Sequence, residues 1–272
     1  MADGRRGVTK TDLAQDLRRV AHACADAARE ETLRWFRAPS LNADNKDAAG
    51  FDPVTEGDRA AEAAMRAVLA SERPDDAVLG EEHGQTAGTT GLTWVLDPID
   101  GTRGYLAGTP TWGTLIAVGD ADGPVFGIID QPYIAERFEG GLGHASMTGP
   151  LGTRGLKTSG VTKLSDAILF TTFPEIGTPA DRKAFEAVAA QTKLLRYGMD
   201  CYAYALVAAG HADLVIEAGL ASYDIQAPLA VVTAAGGIVT NWEGGPVHEG
   251  GRAVAAATPK LHRAALESLA NG

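Results

Sequence analysis

Only two cysteines, Cys24 and Cys201, occur in the 272 residues. Both lie in apolar stretches of helical pattern. This excludes a disulfide framework and points to a reducing compartment, the cytoplasm. Basic residues are also scarce: 24 Lys and Arg stand against 35 Asp and Glu, a formal charge of −11. That deficit argues against nucleic acid and anionic membrane as partners. No apolar run is long enough to span a bilayer, and Met1 to Thr11 lacks the apolar core of a secretory signal. There is no Gly-x-x-x-x-Gly-Lys-Ser/Thr loop, so a nucleoside triphosphatase is unsupported. Internal repeats and low-complexity tracts are absent. What remains is an ordinary globular composition, 45% apolar and 22% charged, with length for one large or two small domains. An acidic protein of this kind that handled phosphate would need metal cations to offset its own field.

The most informative stretch runs from Trp94 to Thr102, Trp-Val-Leu-Asp-Pro-Ile-Asp-Gly-Thr. Trp94, Val95 and Leu96 read as the end of a buried strand, which the proline after Asp97 should stop. Asp97 and Asp100 then stand three residues apart on a turn. Two hard anionic oxygens at a strand end suit Mg²⁺, which takes carboxylates and keeps positions open for water and phosphate. Gly101 would let a phosphate approach the backbone, and the Thr102 hydroxyl would orient a water. The plainer alternative is a turn in which Asp97 caps the backbone and Asp100 is solvated.

Along the chain, Leu13, Leu17, Val20, Cys24, Ala27 and Ala28 recur at helical spacing, predicting a helix over 11–37. Asn42 to Gly50, with Lys46, reads as a loop. Thr55 is a plausible N-cap for a helix burying Ala60, Ala61, Ala64, Met65, Val68 and Leu69. Asp58 falls in its first turn, where the helix dipole alone accounts for an anion. Ala77 to Leu79 is a short strand running into Gly80-Glu81-Glu82-His83, with His83 read as a surface residue. A short turn or helix covers 103–108, and its first amides would attract phosphate. Strands are expected at Trp112–Gly119, Pro124–Asp130 and Arg137–Glu139, and irregular connections over 141–165. The second half alternates strand-like runs at 167–173, 194–197, 213–217, 238–242 and 253–257 with helical ones at 179–192, 200–209, 223–235 and 259–270. That pattern suggests an α/β layer behind an antiparallel α+β half. A boundary is placed near residue 160, with the metal and phosphate motifs in 1–160 and substrate recognition in 161–272. Asp224 begins a helix, where an aspartate is common on structural grounds alone.

Gly80-Glu81-Glu82, then Asp97-Pro98-Ile99-Asp100-Gly101-Thr102, then Tyr223-Asp224 before Ile225-Gln226-Ala227-Pro228 occur together and in order. In this the chain resembles the inositol monophosphatase family of Mg²⁺-dependent, lithium-sensitive phosphatases. Asp52 to Asp58 is similar to a further family motif. The resemblance implies a layered αβαβα sandwich, usually a homodimer. It implies two or three Mg²⁺ ions held by Glu81, Asp97, Asp100, Asp224 and the Ile99 carbonyl. Gly101 and Thr102 would bind phosphate. Glu81 and Thr102 would position the attacking water, with Asp58 supporting Thr102. The loop holding Lys46 is longer before Asp52 than in the inositol enzymes, so no role passes to Lys46.

Within the family, Gly108 to Ile116, Ile129 to Tyr133 and Arg196 to Tyr202 are most similar to the histidinol-phosphate phosphatases. The expected reaction is therefore hydrolysis of a small phosphate monoester, L-histidinol phosphate, by water activated at the cations. The alternatives are inositol 1-phosphate or a broader set of monoesters, and a metal-binding regulatory relative without turnover. The Asp-x-x-Asp-x-Thr spacing disfavours the phosphatases that use a nucleophilic aspartate in Asp-x-Asp-x-Thr. Asp200, at a helix start, and Glu217, at a strand end, are expected to receive a substrate ammonium group, since inositol enzymes tend to carry a small residue in place of Asp200. The competing role for Asp200 is a plain helix cap.

Overall fold

A computed structural model describes residues 10–39, 41, 43–45 and 53–272. Lys46 and Asp52 lie outside the described residues; within the expected 42–50 loop Ala43–Asn45 forms a strand instead, and residues 53–58 of the following motif are placed. Helix α1 (Lys10–Trp35) buries Leu17, Val20, Cys24 and Ala28 of the expected stripe together with Ala21 and Ala25, while Leu13 and Ala27 are half-buried. Strands β1 (Ala43–Asn45) and β2 (Pro53–Thr55) form a short antiparallel pair. Thr55 then caps α2 (Glu56–Glu72): its hydroxyl accepts from the Gly57 and Asp58 amides, and the Asp58 carboxylate accepts from the Thr55 amide in return. This reciprocal box satisfies amides that a helix start leaves open.

An eight-stranded sheet follows. It is built from β3 (Ala77–Gly80), β4 (Gly84–Thr86), β5 (Thr93–Asp100), β6 (Gly113–Asp120), β7 (Gly123–Gln131), β8 (Glu136–Gly141), β9 (His144–Gly149) and β10 (Gly152–Gly155), with the short helix α3 (Thr102–Ala107) after β5. The spatial order is β10-β9-β8-β7-β6-β5-β3-β4, antiparallel throughout except for the parallel β3–β5 pair. Two sequence expectations are corrected here. Residues 141–165 are not all irregular, because β9 and β10 extend the sheet at its edge. And β5 does not stop at Asp97. It bulges between Asp97 and Asp100 and continues, so Pro98 falls in the bulge, where no ladder bond is lost.

The second sheet comprises β11 (Ile168–Thr171), β12 (Leu194–Tyr197), β13 (Leu214–Leu220), β14 (Ile238–Thr240) and β15 (Gly251–Ala256), in the order β12-β11-β13-β15-β14. It alternates with α4 (Pro179–Ala189), α5 (Asp200–Ala208), α6 (Ser222–Ala234) and α7 (Pro259–Asn271). Alternating side chains sort the layers. In β5, Trp94 and Leu96 pack with the α1 and α2 residues, while Val95 packs with α5 and α6. Phe170, Val215 and Ala255 of the second sheet meet α5 and α6 from the far side. Leu169, Leu214 and Val254 face α4 and α7. The result is the expected αβαβα sandwich, with α5 and α6 shared between the two sheets.

Candidate metal and phosphate site

The β5 bulge is the local device that builds the site. Asp97 pairs with Leu115 and Asp100 with Gly113, so the residues between them leave the ladder. The Asp97 carboxylate accepts from the Ile99 amide at 3.1 Å, and the Pro98 carbonyl accepts from the Thr114 hydroxyl at 2.8 Å. Asp224 arrives from the first turn of α6, where it also accepts from the Ala221 amide at 2.7 Å. One carboxylate oxygen from each of Asp97, Asp100 and Asp224 lies within 4.8 Å of the other two. Asp224 thus stands both at the helix start and within the carboxylate cluster.

Three carboxylates this close, Asp97 buried and Asp100 and Asp224 half-buried, oppose one another. Burial, then the charges of Glu81, Asp100 and Asp224, push the Asp97 carboxyl well above the usual range. Asp100 is likewise raised by burial and by Asp200 and Asp224, against a 2.6 Å bond from the Cys201 amide. Protons or a cation must offset that charge, and hard oxygen donors at this spacing fit Mg²⁺. Glu81, just past β3, is hydrogen-bonded to Asp97, so it joins the cluster. Its amide donates to the Leu96 carbonyl at 3.2 Å. His83 lies apart, its side chain 42% exposed, in keeping with a surface residue.

Thr102 begins α3. Its hydroxyl donates to the Ile99 carbonyl at 3.1 Å and reaches Asp58 Oδ1 at 3.4 Å. Asp58 is fully buried, and burial pushes its carboxyl up to about 6 despite hydrogen bonds from Thr55. Thus the first-turn aspartate of α2 also reaches Thr102. Gly101 has φ of 88°, and a Cβ there would stand 2.9 Å from Asp200 Cγ. Glycine is required at that position on both counts.

A cavity of about 390 Å³ opens over these residues. Glu81, Asp100, Gly101 and Thr102 line it together with Thr172, Asp200, Glu217 and Asp224. Glu217 accepts from the Thr172 amide at 2.8 Å and hydroxyl at 2.9 Å, and burial pushes it up to about 8. Asp200 takes a left-handed backbone, φ 46°, which is costly for a residue with a side chain and typical of functional sites. The cap position of α5 belongs to Met199, which makes no side-chain cap bond. Burial pushes Asp200 up to about 6, with Arg103 drawing it down and Asp224 pushing it up. Arg103 and Phe173, which also line the cavity, are not signalled by the sequence pattern. The guanidinium lies 4.8 Å from the Phe173 ring centre. Adjacency of Arg103 to Thr102 is the one available cue.

A family model described as the inositol monophosphatase family matches residues 13–271. The chain is 39% identical to the chloroplastic bifunctional phosphatase IMPL2 of Arabidopsis thaliana, covering 92% of this chain and 74% of that protein. It is 37% identical to a histidinol-phosphatase of Streptomyces coelicolor, covering 92% and 95% respectively. Its fold matches the solved structure of an inositol monophosphatase from Zymomonas mobilis with a TM-score of 0.83 and 38% identity, covering 94% of this chain and 98% of that one.

Proposed function

The chain belongs to the inositol monophosphatase family and is a phosphatase, and on that premise we propose that it is a Mg²⁺-dependent histidinol-phosphate phosphatase. Glu81, Asp97, Asp100 and Asp224 would hold the cations, with the Ile99 carbonyl as a neutral donor. A divalent cation there supplies Lewis acidity, offsetting phosphate charge and making water easier to deprotonate. The remaining work falls to the chain. The amides at Gly101 and Thr102, at the start of α3, receive phosphate oxygens. The Thr102 hydroxyl, backed by Asp58, orients the attacking water, and Glu81 takes its proton. As the water oxygen bonds to phosphorus the ester P–O bond breaks, the phosphate leaves as the free ion, and the departing ester oxygen takes a proton from solvent water to become the alcohol.

The observation that carries the substrate reading is the pair Asp200 and Glu217, which line the same cavity as the phosphate motif. With Asp224 they outnumber Arg103, so acidic groups exceed basic ones around this part of the cavity. Inositol phosphate brings only hydroxyls to it, whereas histidinol phosphate brings an ammonium group. The raised carboxyls would ionise against that cation and form charge-assisted hydrogen bonds, each worth about 1.5–3 kcal/mol. Asp200→Asn should then lose roughly 10- to 100-fold in kcat/KM on histidinol phosphate and little on inositol 1-phosphate. Steady-state kinetics on both substrates, with adenosine 3′,5′-bisphosphate and fructose 1,6-bisphosphate alongside, check this. Equal losses on both would return Asp200 to a structural role. A wild-type preference for inositol 1-phosphate would favour the second reading, to which the 38% identity with the Zymomonas inositol monophosphatase lends weight.

A further inference from the structure

Glu62 lies on α2 outside the cluster, yet it is fully buried, a rare place for a glutamate. Its Oε2 accepts from the Glu82 amide at 2.6 Å and its Oε1 from the His83 amide at 3.1 Å. Arg66, one turn on, donates from Nε to Glu62 Oε1 at 2.7 Å. The same guanidinium donates to the Thr86 hydroxyl at 3.1 Å and to the Gly84 carbonyl. Gly80 presses against this carboxylate so closely that a Cβ there would lie 2.0 Å from Glu62 Oε1. The β3–β4 connection that carries Glu81 is thus gripped from Gly80 to Thr86 by two side chains of one helix.

From this geometry we infer that Glu62 and Arg66 are positioning residues that hold Glu81 against Asp97 before a cation arrives. The inference rests on the cation reading of the carboxylate cluster. Stability alone is a poor reason for the pair. A buried ion pair is often no better than apolar residues of the same volume. Apolar packing would also leave the Glu82 and His83 amides without these acceptors. A carboxylate that takes both amides fixes the backbone immediately after Glu81, and Arg66 fixes the carboxylate. Support of this kind behind a ligand is typically worth 10- to 100-fold in metal affinity.

The test is Mn²⁺ binding to the full chain without substrate, followed by electron paramagnetic resonance, together with amide exchange of the cation-free protein. Glu62→Gln keeps the shape but turns an NH₂ toward a backbone amide, and Arg66→Met removes the outer clamp if the first variant does not fold. Both should bind Mn²⁺ about tenfold or more weakly, with faster exchange at Glu82 and His83. A purely structural pair would lower the melting temperature and leave Mn²⁺ affinity unmoved. Affinity within twofold of wild type in the folded variants therefore overturns the inference while leaving the cation reading intact. A wild-type chain that binds no Mn²⁺ overturns both.

Discussion

Thr102 has one hydroxyl hydrogen and two acceptors within reach, Ile99 O at 3.1 Å and Asp58 Oδ1 at 3.4 Å. A hydroxyl so placed can turn its lone pairs to a water while its hydrogen stays committed. Thr102→Ala should therefore lower kcat steeply and move substrate KM little, because the lost contact matters in the transition state. Asp97→Asn should behave differently, losing Mg²⁺ binding and activity together while the fold persists. Initial-rate measurements across Mg²⁺ and substrate concentrations separate the two. A Thr102→Ala enzyme with unchanged kcat and raised KM would make the hydroxyl a plain phosphate ligand. At this scale legibility follows chain distance. Asp97 to Thr102 are contiguous, so their chemistry is visible as a motif. Glu81 and Asp224 need the resemblance, since nothing in spacing says that a helix start 124 residues beyond Asp100 will meet it. Glu62 is hidden altogether, because an isolated glutamate on an amphipathic helix reads as solvated until the turn above it is known.

Helix α6 lies directly on the large sheet. A Cβ on Gly127 of β7 would stand 2.8 Å from the Ala227 carbonyl oxygen and 2.9 Å from its Cα, and one on Gly140 of β8 would stand 2.5 Å from the Val231 Cα. Glycine in these strands is therefore a matter of close approach. Because α6 carries Asp224 in its first turn, its height above the sheet sets where that carboxylate falls. Gly127→Ala should cost about 1–3 kcal/mol through overpacking and raise the Mg²⁺ concentration needed for half-maximal activity. Urea midpoints and Mg²⁺ activation curves measure the two effects. A stability loss with no change in Mg²⁺ requirement would mean that α6 tilts about its N-terminus. The main strands and helices are legible because their apolar periods are clean, as in β5, where Trp94 and Leu96 face one layer and Val95 the next. β9 and β10 are not: every residue of the edge strand β10 is exposed, and β9 beside it buries only Met147. Pro98 misleads as well. It signals a strand end, and only the tertiary bulge lets the strand continue past it.

Across the molecule, burial has placed acid groups where they resist ionising. Glu217 is pushed up to about 8, and Asp58 and Asp200 to about 6. In the cation-free chain each holds a proton that the unfolded chain releases at lower pH. Stability from these groups is therefore fully present below the ordinary carboxylate range and is lost as pH rises through about 6 and then about 8. Glu139 acts in the opposite direction. Burial alone would raise it, but hydrogen bonds involving His22, Ser146 and Arg18 hold it at about 2. Its contribution is complete above the ordinary glutamate range and is lost only as pH falls toward about 2. The two sets together place the stability maximum of the cation-free protein near the ordinary carboxylate range, about pH 4. Cations bind the ionised carboxylates in competition with protons, and whatever binds the native state alone stabilises it by mass action. Saturating Mg²⁺ should therefore move the maximum to neutral pH or above and raise the melting temperature most at high pH, where the cation-free chain is weakest. Melting curves from pH 5 to about 8.5, with EDTA and with Mg²⁺, test this. A melting temperature in EDTA that climbs steadily from pH 5.5 to 8 would show that the cluster carries its charge without a counterion, and the electrostatic case for a cation site would fail.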